Sequence, residues 1–156
     1  MPELTPKAST RVALNSGLLA LVMGIFFLTI NLKSELLSQE IVVIQLVLSI
    51  PLFLTSTLAY SKVSYKKHPE KWDKLGWITF TLGYAFILNV VGILIGRMIS
   101  ILISMIFFAS SWILALVYSF VHISYDRSKI KERIVKNTFF ISVQLFFGLL
   151  VVLGVV

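Results

Sequence analysis

Residues 76–121 read GWITFTLGYAFILNVVGILIGRMISILISMIFFASSWILALVYSFV, and the only charge in these 46 positions is Arg97. About 20 apolar residues at 1.5 Å per residue cover the roughly 30 Å hydrocarbon layer of a bilayer. The run is too long for one membrane span and long enough for two, with Arg97 at the outer turn between them. Two apolar runs precede it and one follows, which gives expected spans at residues 12–32, 41–60, 76–95, 101–121 and 138–156. The expectation is an all-α integral membrane protein, a five-transmembrane-helix bundle. The connecting loops are too short for a separate soluble unit, so residues 1–156 are expected to form a single membrane domain.

Composition agrees with that expectation. The chain is 58% apolar and 13% charged, whereas a soluble domain carries roughly 25% charged residues. The net charge of +7 does not indicate nucleic acid, because the basic residues sit beside the spans. There they set topology and meet anionic lipid headgroups at the inner face. The chain has no cysteine, which removes thiol redox chemistry, disulfides and cysteine metal sites.

The basic residues alternate from one connecting segment to the next. Lys7 and Arg11 precede span one. Lys62, Lys66, Lys67, Lys71 and Lys74 lie between spans two and three, and Arg127, Lys129, Lys131, Arg133 and Lys136 between spans four and five. The other side holds only Lys33 and Arg97. The positive-inside rule then predicts the N-terminus inside and the C-terminus outside. No small-x-small cleavage site precedes Lys33, so the first run reads as a retained span rather than a signal peptide.

Other local signals refine the picture. Pro51 should kink span two, because proline removes one helical hydrogen bond and crowds the preceding turn. Pro69, followed by Glu70 and Asp73, predicts a short interfacial helix leading into span three. Tyr60, Tyr65, Trp72 and Trp77 flank the first basic loop, as expected of rings at headgroup depth. Sliding the chain by 60 residues lays Ser64-Tyr65 on Ser124-Tyr125, Lys71 on Lys131 and Phe80 on Phe140. This is a weak signal of a duplicated helical hairpin.

The acidic residues Glu3, Glu35, Glu40, Glu70, Asp73, Asp126 and Glu132 all fall outside the expected spans. Ion-coupled carriers normally bury an ionisable group, so a proton- or sodium-coupled carrier is disfavoured, and an intramembrane aspartyl protease lacks its two buried carboxylates. His68 and His122 are the only imidazoles, and a zinc site needs at least three protein ligands. No glycine-flanked nucleophile motif is present. The chain is expected not to be an enzyme and to carry no cofactor or metal.

Span four holds the most organised pattern. At 100° per residue, Ser104, Ser111, Ala115, Tyr118, Ser119 and His122 fall within about one third of the helix circumference. Phe107 and Phe108 interrupt this stripe, while Leu102, Ile106, Ile113, Leu116 and Phe120 occupy the opposite face. Small polar residues on a membrane helix serve close packing or line a wet path, so this is the candidate pore or helix-packing stripe. His122 ends it as a plain interfacial residue or as a pH sensor, given the usual histidine pKa of about 6.5. Span one aligns Ala13, Gly17, Ala20 and Gly24, span two Gln45, Ser49, Ser56 and Tyr60, and span three Thr81, Ala85, Gly92 and Gly96. In span five Asn137, Gln144 and Gly148 share a face. The amides Gln45, Asn89 and Gln144 are the candidate buried polar residues, since an amide facing lipid is expensive. Arg97 is expected to reach the outer headgroups along its aliphatic stem.

Three function classes fit these features. A homo-oligomeric channel or passive transport subunit is favoured by the small size, the uncharged polar stripes and the absence of carboxylates. A non-catalytic interaction or regulatory subunit, docking another membrane protein, draws on the same stripes. A lipid-modifying enzyme at the inner leaflet is weakest, because Asp73 and Asp126 are isolated. The expected partners are the bilayer and either further copies or another membrane protein. Short loops and the lack of any N-x-S/T acceptor suggest a prokaryotic cytoplasmic membrane.

Overall fold

The computed structural model describes residues 6–31, 40–63 and 69–155, all of it helical apart from tight turns. Helix α1 covers Pro6–Asn31, α2 Glu40–Val63, α3 Pro69–Met98 and α4 Ile101–Tyr125. A 3₁₀ turn at Arg127–Lys129 leads into α5, which runs over Ile130–Val152. All five helices are long and apolar enough to cross a membrane.

The helix ends follow from local chemistry. Proline's missing N–H costs nothing in a first turn, and α3 begins at Pro69 with Glu70 in that turn. The expected interfacial helix is not a separate element but the first turns of α3 itself, whose 30 residues exceed the about 20 that a bilayer core requires. Between α3 and α4 only Ile99 and Ser100 are non-helical. The Ser100 side chain caps α4 by accepting from the Leu102 N–H at 3.2 Å, which satisfies a backbone donor orphaned at a helix start. Asp126 ends α4 and opens the 3₁₀ turn, its Oδ1 accepting from the Ser128 N–H at 3.1 Å and the Ser128 hydroxyl at 2.6 Å.

Helix α1 begins at Pro6, before the expected span, and both boundaries of the fifth helix differ from the sequence expectation. The fifth helix starts at Ile130 instead of residue 138, so Lys131, Arg133, Lys136 and Asn137 are helical rather than loop residues. The helix simply extends past its apolar length. The helix also stops at Val152, where Gly154 adopts φ 70°. Val155 N–H bonds to Leu150 O at 3.0 Å and Gly154 N–H to Val151 O at 3.2 Å. That pair of bonds around a left-handed glycine is a Schellman motif. Within α5, Leu145–Leu149 winds as a π-helix. Pro51 lies inside α2, which stays helical on both sides of it.

The helices group into two compact units, Met1–Ile87 and Leu88–Val156, the division falling within α3. In the first unit α2 turns inward Val42, Gln45, Leu46, Ser49, Phe53, Ser56, Ala59 and Tyr60, a spacing of three and four residues that marks one helix face. Phe53 meets Phe80 of α3 edge-on, at 6.2 Å between centroids. Helix α1 packs through a narrow seam in which, among the residues whose burial is described, only Asn15 and Val22 are buried, while Ala13, Gly17, Ala20 and Gly24 are exposed. The small-residue stripe aligned on span one therefore points away from this seam. Polarity decides this, because burying Asn15 against hydrogen-bond partners outweighs burying small apolar residues.

The second unit is built around Phe108, fully buried on α4. A Cβ added to Gly92 of α3 would stand 2.4 Å from this ring, and one added to Gly148 of α5 would stand 2.8 Å from it. Glycine at both positions is what lets the ring sit between helices. Close contact and interhelical hydrogen bonds of this kind are what hold helices together where the surroundings are apolar.

Candidate functional site

The polar stripe of α4 lies against α3 and α5 within the second unit. Ser104, fully buried, donates to the Gly92 carbonyl at 2.7 Å. Ser111, half-buried, donates to Gln144 Oε1 at 3.2 Å. Ser119, buried, donates to Asn137 Oδ1 at 2.9 Å. Ala115 and His122 are half-buried, and Tyr118 is exposed. Phe108 belongs to this face rather than interrupting it, because Gly92 and Gly148 make room for its ring. On the far side of α4, Leu102, Ile106, Ile113, Leu116 and Phe120 are all exposed.

Gln45, Asn89 and Gln144 are all buried. Asn89 Nδ2 reaches the Val143 carbonyl at 3.4 Å, next to the turn where α5 passes into its π segment. That position brings Gly148 against Asn89, with 2.6 Å between the Asn89 Oδ1 and an added Cβ. Gln144 accepts from Ser111, but its Nε2 is buried without a hydrogen-bond partner among the described residues. Arg97 is exposed in the last turn of α3.

At the α4–α5 end of this unit several side chains gather around one ring. The Arg133 guanidinium carbon lies 5.5 Å from the centroid of Tyr118. The His122 ring meets Tyr118 edge-on at 6.4 Å. Arg133 Nε and His122 Nδ1 are both buried atoms with no hydrogen-bond partner among the described residues. The acids of this segment have other duties: Asp126 caps the 3₁₀ turn, and Glu132 pairs with Lys136 one helical turn on.

In the first unit a comparable cluster was not singled out from sequence. Arg11 of α1 stands over Phe80 at 5.3 Å and Tyr60 at 5.9 Å. One turn along, Asn15 donates to Ser56 Oγ at 2.9 Å, and Ser56 donates onward to the Gly76 carbonyl at 2.9 Å. At the same end Lys62 lies over Trp72 at 5.2 Å. The signal for Asn15 was available, since the argument that drives Gln45 inward applies equally to any amide in a span. The exchange of inward and outward faces on α1 had no such signal, because a stripe of small residues reads the same whether packed or bare.

His68, Lys66 and Lys67 lie outside the described residues. Among those described, no three metal-ligating side chains cluster. Chemically, the second unit offers neutral hydrogen bonds along its core and a cation with aromatic support at one end. No family model, curated protein or solved structure matches this chain, so its function is argued from its own residues.

Proposed function

We propose that this chain is a non-catalytic membrane subunit that works by docking another membrane-embedded chain. In this reading its five helices cross a prokaryotic cytoplasmic membrane with the N-terminus inside and the C-terminus outside. The basic ends meet anionic headgroups. The observation that carries the reading is the bare face of α1. Ala13, Gly17, Ala20 and Gly24 are exposed, and nothing among the described residues lies within 4 Å of a Cβ added at Gly17 or Gly24. Their 4-3-4 spacing repeats every seven residues, the pattern of a left-handed helix pair, and small residues at those positions let two backbones approach closely. By contrast, Ser104 and Ser111 of α4 bond to α3 and α5, and Gly92 and Gly148 receive Phe108.

Cysteine crosslinking in native membranes tests this reading. The chain has no cysteine of its own, so single variants report cleanly. Gly17→Cys and Gly24→Cys should form crosslinked adducts, while Leu14→Cys, about 90° around the helix at 100° per residue, should not. Adducts at neither glycine would remove the reading.

A homo-oligomeric channel or passive transport subunit is the second reading. It draws on the unpartnered Gln144 Nε2 beside the π segment, since π turns recur at functional sites and a buried donor is satisfied by water along a wet path. Adducts of twice the chain's mass, together with solute flux from liposomes, would put this reading first.

A further inference from the structure

We propose that Arg133 and His122, flanking Tyr118 at the α4–α5 end of the second unit, form a binding site for the phosphate of an anionic phospholipid. The proposal rests on the reading that the helices lie in a bilayer. Arg133 projects from the first turns of α5, and Tyr118 and His122 from the last turns of α4. The Tyr118 ring supports the guanidinium at 5.5 Å. A ring face attracts a cation but accepts none of its N–H bonds in the plane of the fork, so the guanidinium edge stays free for an oxyanion.

Two further observations point to an acceptor from outside the chain. Arg133 Nε and His122 Nδ1 are buried without partners among the described residues. A buried polar nitrogen left without a partner is costly, so two around one ring need an account. An acidic side chain would supply one, but Glu132 pairs with Lys136 and Asp126 holds Ser128. A phosphodiester does what they do not: it carries negative charge, offers several acceptor oxygens, and sits at the depth where a span meets water. Tyr118 is exposed at the edge of this cluster, and Arg127 and Lys131 in the same segment are exposed cations that favour an anionic headgroup over a zwitterionic one.

The test uses the full chain in nanodiscs, with bound lipid counted by native mass spectrometry. The probes are phosphatidylglycerol against phosphatidylcholine, with inorganic phosphate as a soluble competitor. The wild type should retain phosphatidylglycerol preferentially. Arg133→Lys keeps the charge but loses Nε and the planar fork, and should weaken retention about tenfold, the equivalent of one charge-assisted hydrogen bond. His122→Phe keeps a ring against Tyr118 and removes the ring nitrogens, so it should weaken retention in the same direction. Lys131→Gln removes a whole charge from an exposed neighbour and should change retention far less. Equal losses in Arg133→Lys and Lys131→Gln would reduce the effect to general charge attraction and overturn the site. Displacement of the lipid by inorganic phosphate at matched concentration would overturn the lipid assignment. Circular dichroism confirms that each variant is folded; if Arg133→Lys is not, His122→Phe decides. Loss of bilayer insertion, read by alkaline extraction, marks failure of the membrane reading, which is a separate result from an inserted protein that shows no lipid preference.

Discussion

Phe108 shows how a single side chain depends on what its neighbours lack. Its ring occupies the space that a Cβ would fill at both Gly92 and Gly148, with closest approaches of 2.4 and 2.8 Å. Gly92→Ala should therefore push the ring aside and destabilise the protein by about 1–3 kcal/mol, the usual result of over-packing. Gly17→Ala should do the opposite: nothing stands within 4 Å of its added Cβ, and alanine is about 1 kcal/mol the better helix former. Unfolding in mixed micelles, followed by circular dichroism, compares the two, and equal stabilities would refute the packing described. Combining Gly92→Ala with Phe108→Ala should give less than the sum of the separate losses, because both act on one contact. Residues that bond within their own surroundings were readable in advance by cost alone, as for Gln45, Asn89 and Gln144. Phe108 was not, since an aromatic ring in an apolar span is equally at home in lipid.

At the scale of elements, the helix ends are the best-determined features. Pro69, Ser100, Asp126 and Gly154 each act on their own chain within a few residues, so their effects are local and legible. Gly154 is the clearest test. Its φ of 70° is a conformation that costs other L-residues roughly 1–2 kcal/mol. Gly154→Ala should loosen the Schellman closure, so that the amides of Leu153, Gly154→Ala itself and Val155 exchange hydrogen faster while those around Phe140 keep their protection. Unchanged exchange at Leu153 and Val155 would show that the motif does not hold the end of α5. The π segment at Leu145–Leu149 belongs to the other kind of feature. Nothing in LFFGL distinguishes it from an α turn, and it occurs where Gly148 comes against Asn89 and Phe108, so its cause lies in other helices.

For the whole molecule, orientation is the prediction that charge counting makes and fusion reporters check. Reporters placed after Ser64 and after Lys131 should read cytoplasmic, and those after Ser38 and after Val156 external. An external signal at Lys131 would overturn the five-span orientation. The number of helices and their places along the chain were set by the sequence alone, because a long uncharged apolar run satisfies its backbone internally only as a helix. Length and hydropathy are properties of each run taken separately. Which face of each helix is buried was a different matter. For α2 and α4 the polar face was the inward one, as polarity required. For α1 the small-residue face was left bare, because Asn15 found Ser56 on α2 and drew the opposite side inward. A choice between two faces of one helix depends on the partners that the other helices bring within reach of a hydrogen bond, and those partners exist only once the chain has folded.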